Sequence, residues 1–113
     1  MSSSKIGIMK AGANNILIPR DMLTFKNCDD LEHVFDALVK QKSGIVLDCK
    51  SVSLMDSKAL ELLLRMHDAM KSRGQKLKIC GLNKVCWDIL LATRLINVFN
   101  VYRDVQEAVR SEA

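Results

Sequence analysis

The sequence predicts a single α/β domain: a mixed, mostly parallel sheet of about four to five strands with about four packed helices, in the order ββαβαβαβα. Three observations predict it. The chain has 113 residues, the length of one domain. After an opening strand pair, short apolar runs alternate with helical patterns. Hydrophobic residues make up 49% and charged residues 27%, a normal globular composition. We expect residues 5–110 to form the domain, between flexible ends at residues 1–4 and 111–113.

The first half of the chain predicts a hairpin, a helix and a buried strand. Residues 5–18 contain two short apolar segments separated by a turn-forming Ala-Gly-Ala-Asn sequence. Apolar residues then recur at helical spacing over residues 31–39, with Asn27 or Asp29 available as the cap. Residues 45–49 form a nearly continuous apolar run, which is typical of a strand buried on both faces.

The second half predicts the longest helix, two short strands and two further helices. Residues 57–73 contain no Gly or Pro and present one broad apolar face, so they predict the longest helix. Residues 76–80 and 97–102 read as strands, each followed by a helical pattern. The residues that end or cap these helices are Gly74, Asn83 and Asp104.

Charge and cysteine content argue against several kinds of site. The net charge is +4, but basic and acidic residues alternate and aromatic residues are only 4%, so we expect no direct nucleic-acid binding. No apolar run approaches the ~20 residues that cross a bilayer, and the start lacks a secretory signal; we expect a cytoplasmic protein without membrane insertion. Four cysteines without C-x-x-C spacing predict buried free thiols, and nothing in the pattern calls for a metal or a cofactor.

The connection from the buried strand into the longest helix carries most of the functional signal. Asp56 and Ser57 lie at the predicted N-terminus of that helix, where free backbone N–H groups and the helix dipole favour negative charge. A phosphate on Ser57 would add roughly −1.5 to −2 charges, which Asp56 would repel and which Lys58 and Lys50 could offset. From the Asp-Ser pair alone, a helix cap is the simpler interpretation.

The order and spacing of these landmarks resemble a STAS domain, the family of bacterial anti-sigma-factor antagonists. The resemblance lies in residues 45–48, a seven-residue loop, and Asp56 and Ser57 opening a Leu-rich helix. It continues through Gly74 and residues 77–80, 81–83, 97–102 and 105–109. It therefore covers nearly the whole chain. The family usually follows the serine with a small residue and glycine, where this chain has Lys58 and Ala59.

The resemblance implies a non-enzymatic, phosphorylation-controlled protein-binding switch. Such a protein binds an anti-sigma factor with serine kinase activity and so releases a sigma factor for transcription. Phosphorylation of the serine breaks the binding, and a serine phosphatase restores it. On this chain the phosphorylation site is Ser57, and the partner-binding residues are Met55, Asp56, Ser57, Lys58 and Glu61. Met55 suits an adaptable contact surface if it is exposed; if it is buried, it fills the core.

Two other functions stay open, as does the oligomeric state. Similar STAS domains serve as subunits or adaptors of membrane transport systems, where the contact is structural and needs no phosphate cycle. A small hydrolase could instead use one of the cysteines with His33 or His67, but a nucleophile needs a positioned base and no such pair is recognisable in the sequence.

Three further features are interpreted as structural. His67 and Asp68 are predicted to form an exposed helix pair, and Glu61 and Arg65, spaced i and i+4, a minor surface ion pair. Trp87, the one tryptophan, is predicted to pack, whereas partial exposure would make it an interface anchor.

Overall fold

A computed structural model describes residues 6–111 and confirms the predicted fold class and element order. The elements are β1 (Ile6–Ala11), β2 (Asn14–Pro19), α1 (Cys28–Val39), β3 (Gly44–Asp48), α2 (Ser57–Lys71), β4 (Lys78–Cys80), α3 (Lys84–Ala92), β5 (Asn100–Tyr102) and α4 (Val105–Arg110). The predicted flexible ends lie outside the described residues, apart from Ser111, whose Oγ is 2.7 Å from Tyr102 Oη. Over the described range, no helix has the length and apolar character needed to span a membrane.

The five strands form one sheet in the spatial order β1-β2-β3-β4-β5. The opening hairpin pairs β1 with β2 antiparallel, in a register that runs from Ile6 opposite Pro19 to Ala11 opposite Asn14. Every later neighbour is parallel, because a helix separates each strand from the next. The carboxyl ends of β2 to β5 therefore lie at one edge of the sheet and their amino ends at the opposite edge.

Side chains alternate along the strands, so both faces of the sheet are buried. Leu17 and Leu47 belong to the larger core, which is completed by apolar side chains of α1, α2 and α3. Ile16 and Val46 point to the other face, where they form a smaller cluster with Ala108 of α4. Three helices thus cover one face and one short helix covers part of the other.

The last strand is shorter than the apolar pattern predicts. Residues 97–99 are not extended; Arg94 adopts a left-handed conformation with φ 64°, and a 3-10 turn follows at Leu95–Asn97. The turn closes through a 2.9 Å hydrogen bond from the Val98 N–H to the Leu95 carbonyl. Phe99 is nevertheless buried, so the apolar run reflects a turn packed on the core as well as a strand.

Both predicted surface pairs on α2 are wrong. His67 is only 9% exposed, and its ring meets Phe99 edge-on with the ring centroids 5.6 Å apart. Arg65 pairs with Glu32 of α1 at 2.8 Å instead of with Glu61. Packing of α1 beside α2 offers Arg65 a partner that spacing along one helix cannot reveal.

Two glycines have the same left-handed backbone conformation but different surroundings. Comparing them distinguishes the cost of backbone strain from the cost of a crowded side chain. Gly74 and Gly81 both have φ +75°. A Cβ on Gly81 would lie 3.0 Å from Asp48 Oδ1 and 3.1 Å from the Lys50 N, whereas a Cβ on Gly74 would meet nothing within 4 Å. Only Gly81 therefore combines a left-handed backbone with a crowded site.

We predict that Gly74→Ala lowers the free energy of unfolding by about 1–2 kcal/mol, the cost of a left-handed alanine. Gly81→Ala should lose about 1–3 kcal/mol more, because its methyl group is also forced against buried atoms. Urea unfolding of both variants measures the difference. Equal losses in the two variants would show that the crowding around Gly81 relaxes without cost.

Candidate functional site

The candidate site lies where the loop after β3 enters α2, at the edge formed by the carboxyl ends of the parallel strands. Ser57 is the first residue of α2 and is exposed. The loop after β2 lies beside it, because Leu23 forms a parallel bridge with Met55. The Leu23 N–H donates to the Leu54 carbonyl at 2.9 Å, and the Asp56 N–H donates to the Leu23 carbonyl at 3.2 Å. Two loops that are distant in sequence thus form one surface around Ser57.

The Asp56 carboxylate joins these two loops. Its Oδ1 accepts the Ala59 N–H at 2.9 Å and so caps α2, as the sequence allows. Its Oδ2 accepts the Phe25 N–H at 2.9 Å, across the boundary between the loops. One side chain therefore fixes the start of the helix and the position of the neighbouring loop.

The hydrogen bonds also set the charge state of Asp56. Desolvation by the surrounding atoms acts to raise its pKa, but backbone N–H donors, led by those of Ala59 and Phe25, outweigh it and lower the pKa below the ordinary value of 3.8. Asp56 is therefore a carboxylate at neutral pH. The position next to Ser57 already carries a negative charge.

Asn27 shapes the loop after β2 instead of capping α1. It precedes Cys28 at the N-cap position, but its side chain makes no capping bond to the helix. Its Oδ1 accepts the Thr24 N–H at 2.8 Å, and its Nδ2 donates to the Met22 carbonyl. Of the two predicted caps, Asn27 occupies the N-cap position without a capping bond, because its amide holds the turn that carries the exposed Phe25.

Three apolar side chains on the two joined loops are exposed: Phe25 by 67%, Met22 by 41% and Leu54 by 39%. We call Met22, Phe25, Leu54 and Ser57 the Ser57 patch. Sequence reasoning missed its apolar members, since they come from two loops that the Leu23–Met55 bridge brings together. The only sequence signal for these residues is that apolar side chains occur among polar loop residues. This signal is weak unless the topology shows that the two loops are neighbours.

The other predicted contact residues differ in how they are placed. Lys58 and Glu61 are exposed near the start of α2, with Lys58 Nζ 3.9 Å from Glu61 Oε1. Met55 is only 4% exposed and fills the core, so the alternative of a Met55 contact surface does not fit its burial. Lys50 lies 3.7 Å from Asp48 Oδ2. Lys58, the residue after Ser57, is therefore an exposed cation at the start of α2.

Helix α3 is attached to the same loop. The Asn83 amide donates to the carbonyls of Val52 and Ser53, at 3.2 and 3.1 Å, while its Oδ1 caps α3 through the Cys86 N–H. Trp87 on this helix is 42% exposed, so the prediction that it packs is wrong, and the alternative that it anchors an interface stays a prediction. It borders a cavity of about 300 Å³ that Tyr102 also lines.

The four cysteines are free and buried, as predicted. Burial, reinforced by Asp56 and other acidic groups, raises the pKa of Cys28 to about 11, and burial with the nearby Asp48 raises that of Cys80 to about 12. Burial also raises the pKa of Cys86 and, well above 9.0, that of Cys49. Each thiol stays protonated at neutral pH, which argues against the alternative of a cysteine hydrolase.

We predict that Asp56→Asn is less stable than the wild type at neutral pH and that the difference closes in acid. Since the folded pKa lies below the unfolded value near 3.8, the carboxylate stabilises the fold above that value and loses this contribution as the pH falls through the lowered folded pKa. Urea unfolding from pH 7 downward measures it. Asp88→Asn, which removes an exposed carboxylate paired with Lys84, is the control; an Asp56 difference that persists undiminished in acid would contradict the assignment.

Comparison with solved structures shows the same fold in several proteins. A Thermotoga maritima protein described as a candidate anti-sigma factor antagonist shares 22% identity, with a TM-score of 0.86 over 92% of this chain and 91% of that chain. An anti-sigma-factor antagonist (STAS) domain protein from Planctomyces limnophilus shares 20% identity, with a TM-score of 0.84 over 92% and 94% of the two chains. A sulfate transporter family protein from Wolinella succinogenes shares 17% identity, with a TM-score of 0.77 over 88% and 84%.

The sequence itself carries the family signal over most of its length. None of the curated proteins matches it significantly. The model of the STAS domain family, in contrast, matches residues 10–108, a span that includes α1 to α3, the start of α4 and the whole Ser57 patch. This match confirms the resemblance that the order and spacing of the landmarks indicate: the chain belongs to the STAS domain family.

Proposed function

We propose that this chain is an anti-sigma-factor antagonist: a non-enzymatic switch that binds an anti-sigma factor with serine kinase activity and is released when Ser57 is phosphorylated. A serine phosphatase restores binding, and the cycle controls transcription in the bacterial cytoplasm. The observation that carries the proposal is the exposed Ser57 hydroxyl beside exposed apolar side chains, at the start of a capped helix.

The Ser57 patch has the composition of a protein-binding surface. Phe25 exposes two thirds of its surface, and Met22 and Leu54 extend the apolar area around it. Grouped apolar side chains next to charged ones are typical of protein interfaces, in which a few aromatic residues supply most of the binding energy. The backbone beneath Phe25 is held by Asp56, so the side chain is presented in the unbound protein.

A phosphate on Ser57 would change the charge of this surface strongly. Asp56, Lys58 and Glu61 together carry one net negative charge, and a phosphate adds roughly −1.5 to −2 more. The Ala59 N–H at the helix start is already occupied by Asp56, and the exposed Lys58 ammonium would offset only part of the added charge. The phosphorylated patch therefore becomes anionic beside its apolar side chains, and a partner surface complementary to the unmodified patch would be repelled.

The replacement of the family's glycine by Ala59 leaves the contact surface unaffected. Ala59 is completely buried, so its methyl group packs into the core and does not meet a partner. Lys58 in contrast exposes 58% of its side chain. Of the two departures from the family pattern, only Lys58 alters what a kinase would contact, and it adds a positive charge that suits a substrate-binding surface with acidic groups.

A second candidate is a STAS subunit or adaptor of a membrane transport system, acting without a phosphate cycle. Trp87 and Leu91 of α3 are 42% and 53% exposed, and their i, i+4 spacing places them on one flank of the helix. This second apolar surface does not include Ser57. A structural contact through α3 would therefore be insensitive to phosphorylation.

We predict that the cognate anti-sigma kinase adds one phosphate to the wild-type chain in the presence of ATP and none to Ser57→Ala. Affinity capture with the wild-type chain identifies the kinase, and intact-mass measurement counts the phosphates. Ser57→Ala should still bind the kinase, because a small exposed hydroxyl is removed without a change of charge. Ser57→Asp should bind more weakly, since it places a second carboxylate beside Asp56.

The same capture experiment separates the two candidate functions. Recovery of a transporter component in equal amounts by the wild type and Ser57→Asp, lost in Trp87→Ala, would overturn the switch in favour of the adaptor. Equal phosphorylation of Ser57→Ala would show that the modified residue lies elsewhere.

We predict that Phe25→Ala weakens kinase binding by at least about 2 kcal/mol, roughly thirtyfold in Kd, as expected for an aromatic residue at the centre of an interface. Met9→Ala is the matched control, because Met9 is 57% exposed but lies on β1 opposite Ile16, on the face of the sheet that α4 covers. Isothermal titration calorimetry gives both values. Equal effects of the two substitutions would contradict the assignment of the Ser57 patch as the interface.

A further inference from the structure

A cavity of about 530 Å³ opens at the edge of the sheet opposite to Ser57, at the amino ends of the parallel strands. It is bounded by the turn before β2, by Gly44 and Ile45 at the start of β3, and by the loop before β4. Its volume lies within the roughly 300–1,000 Å³ that is usual for small-molecule sites. The position shares no residue with the Ser57 patch.

Three lysines line the cavity, and no carboxylate does: Lys42, Lys76 and Lys78. Lys42 and Lys76 are exposed, and neither forms an ion pair with any carboxylate of residues 6–111. Lys40 and Arg73 lie in the same loops as Lys42 and Lys76, and Lys71 is the last residue of α2. The cavity thus lies at a basic end of the molecule, where the field attracts anions.

Lys78 is held in a fixed position at this site. It is only 8% exposed, and its ammonium donates to the carbonyls of Ala108 and Ser111 at 3.0 and 2.8 Å, which fixes its position. A lysine ammonium has three N–H donors, and the third has no acceptor among the described residues. Asn100, paired with Lys78 in the sheet, has a buried Nδ2 that also lacks an acceptor within residues 6–111. The third N–H of Lys78 is therefore available to an anion in the cavity.

We propose that this cavity binds a compact multivalent anion with adjacent phosphate groups, of the pyrophosphate or polyphosphate type. Three lysines lining one cavity match a ligand with several charges better than a single orthophosphate. Neither an aromatic side chain to stack a nucleobase nor a large apolar surface to enter a lipid layer is among the lining residues. The concave shape favours a small ligand over an extended polyanion.

Inorganic pyrophosphate is the probe for this site, measured by isothermal titration calorimetry with the full chain. We expect saturable binding with one ligand per chain and at least about tenfold weaker binding of orthophosphate. Lys42→Gln and Lys76→Gln should each weaken pyrophosphate binding about tenfold, the loss of one charge-assisted hydrogen bond. Lys84→Gln, a change at an exposed lysine on α3, should leave it unchanged. Both test residues are exposed, so the fold should tolerate the substitutions.

Backbone amide chemical shifts locate the bound anion independently. Pyrophosphate should move the amide signals of Gly44 and Gly74 and leave those around Ser57 in place. Absence of saturable binding, or an equal loss of affinity in Lys84→Gln, would overturn the proposal. Binding to phosphatidylglycerol vesicles or to RNA without binding to pyrophosphate would also overturn it, because the basic end would then act as a surface for extended polyanions. None of these outcomes depends on the phosphorylation of Ser57.

Discussion

The surface around Ser57 depends on the two hydrogen bonds of one carboxylate. Asp56 accepts the N–H of Ala59 in its own helix and the N–H of Phe25 in a different loop. The first bond defines where α2 begins, and the second fixes where the apolar side chains of the neighbouring loop lie relative to that start. A serine placed directly after Asp56 therefore lies at a fixed position on the surface. A modification of Ser57 adds its charge next to the group that organises the patch.

The proposed switch would need no change of fold. A phosphate on Ser57 would lie within one residue of Asp56, whose lowered pKa keeps it charged, so the two anions would repel at short range. The core beneath them is closed by Met55 and Ala59, which are almost completely buried. The repulsion therefore acts on the exposed patch and on the bond to Phe25, while the packing of α2 on the sheet provides a rigid base.

The fold was predictable because helix caps and apolar patterns depend on residues close together in the sequence. The features that were missed depend on contacts between residues far apart in the sequence. Asn83 and Asp104 cap their helices as predicted, because capping depends on a residue and the three that follow it. Phe25 was missed because its neighbour Asp56 is brought to it by the pairing of two loops. Lys78 reads as an ordinary strand residue, and its fixed ammonium becomes apparent only when the end of α4 lies across the sheet. His67 was placed on the surface by residue type, although α2 buries it.

The charges that make up the net +4 are unevenly distributed over the molecule. Lysines that pair with no carboxylate of residues 6–111 gather at the amino ends of the strands. At the start of α2, in contrast, the charges of Asp56, Lys58 and Glu61 sum to one negative charge. The molecule measures 37 × 29 × 25 Å, while charges in water at physiological ionic strength are screened over about 8 Å. A phosphate at Ser57 therefore has little direct electrostatic effect on an anion near Lys42 and Lys76. Coupling between the two ends would have to pass through β3, which begins at the basic cavity and leads into the loop before Ser57. Because both faces of β3 are packed, that route resists deformation, and we expect the two sites to act independently.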